Sequence, residues 1–273
     1  MRVLTLNLWG RQGAWAARRA VLIAGLRALR PDVVALQDTI KSDEYDQPLD
    51  LLGADYNLVH QSRRAANGSA VSIASRWPVG AVRQVDLHVT ARVAGFPCTT
   101  LVAEILAPDP IGPLLLVNKR TSWQWGAELE RGLEAVAVAR FVEGLVGSRP
   151  VHVVLASDLN AAPDAASLRF LCGLQSLGGT SVCYQDAWQS LHPGEPGHTF
   201  SPRNPLVPAG EMPRERGRRI DYVLVRCGDH GPTLEVAACA LVFDEAVDGT
   251  WASDHFGVVA DLAPVPRSPP SPS

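Results

Sequence analysis

Val151 to Asn160 reads VHVVLASDLN, a run of β-branched and aliphatic residues that stops at an acid and an amide. The run has the composition of a buried strand, and the Ala-Ala-Pro-Asp after it is a turn. Residues two apart on a strand share one face of the pleat, so Asp158 and Asn160 are expected side by side at the strand's end. A carboxylate accepts a proton or a hard cation, and an amide donates to an anionic oxygen. Asp and Asn are also ordinary turn formers, so the stretch gains weight only from similar strand ends elsewhere.

Four such ends are found. Val3 to Trp9 alternates as a half-buried strand with Asn7 near its end, and a helical stripe follows over Ala14 to Leu29. Val33 to Leu36 is a second buried strand, ending in Gln37-Asp38. Strand, helix and strand with short links form a parallel, right-handed crossover. A helix near 45–55 and strands over Tyr56 to Gln61 and Ala70 to Ser75 come next. Val79 to Thr90, Phe96 to Leu106 and Leu114 to Val117 read as an antiparallel meander. Trp123 to Leu145 is the longest helical pattern. Beyond Asn160 the sequence gives a short helix over Ala165 to Leu174 and a strand ending at Asp186. A basic, Pro- and Gly-rich loop covers His192 to Arg216. Strands over Ile220 to Val225, Thr233 to Phe243 and Gly257 to Leu262 close the chain. Asp221 stands at the start of the first of them, and Asp254-His255 just before the last.

The chain has 273 residues, 47% of them hydrophobic, which suffices for a sizeable core and argues against disorder. No internal linker is visible, so residues 1–263 are expected to form one domain, with Pro264 to Ser273 a disordered Pro/Ser-rich tail. The net charge of -3 is no footprint of a protein that lives on bulk nucleic acid. Five scattered cysteines without CxxC spacing read as reduced core residues of a cytosolic protein, not as a disulfide framework or zinc site. The first residues run straight into a strand, so no signal peptide is expected. No stretch is long and apolar enough for a membrane span, and a cytoplasmic location follows. The sequence does not address oligomeric state.

The pieces LTLNLWG (Leu4 to Gly10), PDVVALQD (Pro31 to Asp38), NGSAVSIASRWP (Asn67 to Pro78), SDLN (Ser157 to Asn160), RIDYVL (Arg219 to Leu224) and SDHFGV (Ser253 to Val258) appear in this order. Together they closely resemble the endonuclease/exonuclease/phosphatase superfamily, the deoxyribonuclease-I-like fold. The resemblance implies an α/β protein, a four-layer α/β/β/α sandwich of two mixed β-sheets with its site in a cleft at one edge. It also implies hydrolysis of phosphoesters assisted by Mg²⁺ or Mn²⁺. A phosphodiester repels hydroxide, so such a site supplies positive charge, a positioned water and a base. By resemblance Asp38 and Asp254 hold the metal, with Asn7 nearby. Asp158 orients and deprotonates water, and Asn160 donates to a phosphate oxygen. His255, held by Asp221, stabilises transition-state charge as an imidazolium.

Two departures stand out. The family has glutamate where this chain has Asp38, one methylene shorter, and Mg²⁺ tolerates displaced ligands poorly. After Val117 the family usually places histidine, whereas here Asn118, Lys119 and Arg120 follow. Lys119 cannot exchange a proton near neutrality, but it binds phosphate as a point charge. Attenuated hydrolysis, a preference for larger cations, and a repurposed, non-hydrolytic site all remain open. Trp9, Trp123, Trp125 and Trp251 lie near site motifs, where aromatics stack on a base or sugar, although tryptophans also fill cores. The expected substrate is a small phosphoester or a short nucleic acid strand.

Overall fold

The computed structural model describes residues 1–93, 95–96 and 98–265. The chain begins β1 (Arg2–Asn7), α1 (Trp15–Leu29), β2 (Val33–Ile40), α2 (Gln47–Leu52), β3 (Asn57–His60), β4 (Ser69–Ser75). It continues β5 (Val79–Asp86), β6 (Thr99–Ile105), β7 (Leu114–Arg120), α3 (Glu128–Val146), β8 (His152–Asp158), α4 (Ala166–Leu171). The last third is β9 (Tyr184–Asp186), α5 (Ala187–Leu191), α6 (Leu206–Ala209), β10 (Asp221–Gly228), β11 (Gly231–Pro232), β12 (Leu234–Val242), β13 (Gly257–Pro264).

Two mixed sheets result. One has the order β12-β13-β1-β2-β4-β3, the other β11-β10-β8-β7-β6-β5 with β9 paired to β10. The β1–β2 and β7–β8 pairs are parallel and joined through α1 and α3, and every other pair is antiparallel. The expected β5–β6–β7 meander is present.

Strand alternation explains the layering. On β1, Val3 faces the other sheet, while Leu4 and Leu6 pack with Leu22 and Leu26 of α1. On β8, Val154 and Ala156 face inward, while Val153 and Leu155 meet Ala135, Val138 and Val142 of α3. Strands buried on both faces are thus sandwiched between helices, and each such side chain contributes about 1.5–3 kcal/mol. One polar bridge crosses the apolar interior. Gln37 on β2 donates its amide to Asn118 Oδ1 on β7 at 2.9 Å, and Asn118 donates to the Leu36 and Ser72 carbonyls at 3.0 and 2.9 Å.

Several sequence expectations shift. The long helix starts at Glu128, not Trp123, because Arg131 donates to the carbonyls of Ser122, Gln124 and Trp125, which hold the preceding turn. Asp186 does not simply end a strand. Its carboxylate accepts from the Trp188 and Gln189 amides and caps α5. All five cysteines are free, but only Cys98 and Cys239 are buried, and Cys183 is exposed. Pro264 still pairs with Leu234, one residue past the expected domain end, and residues 266–273 of the expected tail lie outside the described residues. Among the described residues no helix is long and apolar enough to cross a membrane.

Candidate active site

Strands β1, β2, β7 and β8 end, and β4, β10 and β13 begin, at one edge of the sandwich. β13 runs opposite to β1, with Val258 facing Thr5, and β10 runs opposite to β8, with Asp221 facing Asp158. The starts of β10 and β13 therefore lie beside the ends of β8 and β1. They surround a cleft of about 270 Å³ lined by Asn7, Asp38, Asp158, Asn160, Asp254 and His255, among others. Asp221 sits behind His255 and accepts from its Nδ1 at 2.9 Å.

Asp158, Asp221 and His255 are buried, with one polar atom from each within 4.8 Å of the others. Burial pushes the Asp158 carboxyl up to about 7, with the Asp221 charge adding to it. Burial disfavours a charged His255, but Asp221, Asp158 and Asp254 outweigh it and hold the imidazole up to about 10. The three groups lie close enough to share a cation, but His255 Nδ1 is already paired with Asp221, so the trio as arranged holds a proton between them. Phe200 covers the ring, its centroid 4.7 Å away.

Across the cleft the donors are all oxygens. Asp254 is partly buried, and burial and then the nearby Asp38 charge raise its carboxyl pKa. Two carboxylates facing each other in a partly dry cleft call for a cation. Asn7 donates Nδ2 to Asp158 at 3.1 Å and accepts the Trp9 amide on Oδ1 at 2.9 Å, which leaves Oδ1 one lone pair. Asp38, Asp254 and Asn7 thus suit a hard divalent ion that keeps several waters. Ser253 ties the two halves together. Its hydroxyl donates to the Asn7 carbonyl at 2.7 Å and to Asp254 Oδ1 at 3.2 Å.

Asn160 reaches the cleft by a different route from the one strand alternation implies. β8 ends at Asp158, and Asn160 lies in the left-handed region at φ 50°, its amide N–H donating to Asp158 Oδ1 at 2.9 Å. Trp9 and Asp38 also line the cleft in left-handed conformations, at φ 54° and 48°. Such backbone costs on the order of 1–3 kcal/mol per residue and gathers at functional sites. At Asp38 it goes with a β-bulge, because the β2–β4 register shifts between Leu36 and Thr39.

Lys119 contributes to the cleft lining, but its ammonium is buried 3.9 Å from Glu134, a residue of α3 that also accepts the Ser122 hydroxyl at 2.6 Å. Burial pushes this lysine below its usual range while Glu134 opposes the shift. The cation beside Asp38 is the next residue. Arg120 lies 3.4 Å from Asp38, donates to Ser69 O at 2.7 Å and Ser69 Oγ at 3.0 Å, and covers the Phe96 ring at 4.4 Å. Sequence reasoning passed over Arg120, although strand alternation puts it on the face of Asn118 and opposite to Lys119. It also passed over Arg18. This buried side chain donates to the carbonyls of Ala252 (3.0 Å), Gln12 (2.6 Å) and Leu8, and so joins the loops before Asp254 and after Asn7.

Among solved structures, zebrafish (D. rerio) TDP2 complexed with a single-strand DNA product is similar at 21% identity, with a TM-score of 0.73 over 95% of this chain and 97% of that one. The human Nocturnin catalytic domain with bound sulfate is similar at 15% identity, TM-score 0.73, over 97% and 93%. An endonuclease/exonuclease/phosphatase from Bacteroides vulgatus is similar at 18% identity, TM-score 0.71, over 97% and 98%. No match is found among curated protein sequences. At these identities the structures speak for the fold alone. The family model described as endonuclease/exonuclease/phosphatase, however, matches residues 4–255, from the first strand of the cleft to its last histidine. The chain therefore belongs to the endonuclease/exonuclease/phosphatase family.

Proposed function

We propose that this protein is a Mg²⁺- or Mn²⁺-dependent phosphoesterase. The observation that carries the reading is the Asp221–His255 hydrogen bond of 2.9 Å, set beside an Asp158 carboxyl held up to about 7. A base poised near neutrality and a permanent acid next to it are what attack of water on a phosphoester needs.

In this reading Asp158 takes the proton of the attacking water, oriented by the Asn7 and Asn160 donors. Asn160 presents its side-chain amide to a non-bridging oxygen. His255, charged and fixed by Asp221, stabilises the negative charge that builds on the phosphoryl group. A hard divalent ion held by Asp38, Asp254 and Asn7 Oδ1 supplies Lewis-acid polarisation of the phosphoryl oxygen when bound. Lys119 is paired with Glu134 in this reading, and Arg120 is the cation beside Asp38.

The substrate in this reading is a small phosphoester or the end of a short single strand. The single-strand DNA product in the zebrafish TDP2 structure and the sulfate in the Nocturnin domain support an anionic, phosphate-like occupant. Trp123, 37% exposed on the β7–α3 loop, lines the cleft and offers a ring for a base or other flat leaving group, whereas the Trp125 ring carries the Arg218 guanidinium at 4.7 Å. Free thiols support a cytoplasmic setting. The test is hydrolysis of an aryl phosphodiester and of the matching monoester with added Mg²⁺ or Mn²⁺. Turnover abolished by chelator is expected, and turnover unchanged in excess chelator overturns the reading.

A further inference from the structure

Asp38 already has a cation. Arg120 Nη2 lies 3.4 Å from Asp38 Oδ1, an ion-pair distance too long for a strong hydrogen bond. The guanidinium is held elsewhere, by two bonds to Ser69 and by the Phe96 ring. Its side chain is only 11% exposed, whereas that of Asp38 is 39% exposed. Arg120 is therefore a fixed charge that cannot swing away, and Asp38 is the movable, solvent-facing partner.

A divalent ion on Asp38 meets this fixed positive charge. Two cations sharing one carboxylate repel each other, which weakens metal binding as long as nothing lies between them. A tetrahedral oxyanion relieves the repulsion, because it accepts from the guanidinium fork with one oxygen and faces the ion with another. On this basis, which rests on the metal-dependent reading above, we infer that Arg120 is a resident counter-ion of Asp38. A divalent cation must compete with it for Asp38, and the guanidinium, unmoved on Ser69 and Phe96, then binds the substrate's phosphate, so that metal and substrate favour each other's binding. Linkage requires the coupling to be reciprocal. The consequence is a site that holds metal poorly when empty and firmly when loaded. Arg120 thus becomes a specificity residue for the anionic group.

Calorimetric titration of the full chain tests this without any turnover. Mg²⁺ alone is titrated into wild type, Arg120→Gln and Arg120→Lys, and inorganic sulfate is then titrated into each Mg²⁺-loaded protein. The expected result is Mg²⁺ binding about tenfold tighter in Arg120→Gln than in wild type, a change of about 1.4 kcal/mol. Sulfate binding to the loaded variant should be about tenfold weaker. Arg120→Lys keeps the charge and loses the fork, so Mg²⁺ affinity stays near wild type while sulfate affinity falls. A merely structural Arg120 moves both affinities of Arg120→Gln downwards together, and that outcome overturns the inference. So does an unchanged Mg²⁺ affinity. If neither wild type nor either variant takes up Mg²⁺ or Mn²⁺, the metal-dependent reading itself falls.

Discussion

Asp158 and Asp221 are cross-strand partners, one ending β8 and the other opening β10, so the sheet itself holds two carboxylates against each other beside His255. One shares its surroundings with a cation and the other is pushed toward its neutral form. From that asymmetry follows a pH window. Asp158 must lose its proton near 7 and His255 must keep its own up to about 10, so kcat/KM is expected to rise through about 7 and fall toward about 10. Asp221→Asn removes a charge that raises both groups, so the whole bell should move to lower pH. The pH–rate profiles of the two proteins check this, and coincident profiles refute it.

Asp158→Asn should separate stability from activity. A carboxyl whose folded pKa is raised binds more protons folded than unfolded, so its cost to stability appears as pH rises from about 4 through about 7. Above that window the variant is relieved of the buried charge. We expect a melting temperature a few degrees higher at pH 8 and equal at pH 4, with turnover down at least about 10²-fold. Thermal melts at both pH values, with a rate assay, decide it. His255 contributes with the opposite sign, since its raised folded pKa gives stability that is full below about 6.5 and lost as pH climbs toward about 10.

The Lys119–Glu134 pair should behave as structure. Lys119→Met alone strands a carboxylate that is 0% exposed and should cost roughly 3–5 kcal/mol. The double variant Lys119→Met, Glu134→Gln should recover most of that, with phosphoester turnover within about threefold of wild type. Denaturant unfolding of the singles and the double closes the cycle. A well-folded double variant without turnover would return Lys119 to the chemistry.

Arg18→Met leaves three carbonyls around the cleft without their donor and should destabilise by roughly 3 kcal/mol, since each orphaned buried group costs about 1–3 kcal/mol. Urea denaturation measures the loss. An unchanged midpoint would mean that water replaces the guanidinium.

Asp38→Glu should tighten Mg²⁺ binding several-fold, and Mn²⁺ binding less, because a longer arm restores octahedral reach. It should also lower stability slightly, by about 0.5 kcal/mol. Aspartate tolerates the left-handed region at φ 48° better than glutamate does. Metal titration and a thermal melt on one preparation test both halves.

The motif order made the fold readable because the pieces as a set resemble one family, whose fold is this sandwich, and most of them fall where strands meet the cleft. The β1–α1–β2 crossover followed from apolar periodicity alone. Three features did not. Ending β7 at Val117 hid the alternation through Asn118 and Arg120, so the guanidinium beside Asp38 went unnoticed behind Lys119. Glu134 gave no signal, because a glutamate on a helix reads as solvated until its partner strand is known. The left-handed turns at Trp9, Asp38 and Asn160 are tertiary constraints, and at Asp38 and Asn160 only the turn-forming residue type hinted at them.

The Gln37–Asn118 bridge has a mechanical meaning. Apolar faces attract without direction, and two greasy sheets pressed together have little to choose between neighbouring offsets. An amide latch, tied on one side to β2 and β4 and on the other to β7, favours one offset, and the Asn7–Asp158 and Arg120–Ser69 bonds agree with it. It lies one residue from Asp38 along β2 and two from Arg120 along β7. The latch is in effect a vernier: a slip there would slide the Asp38 carboxylate past the Arg120 guanidinium and pull Asn7 off Asp158 at the same stroke.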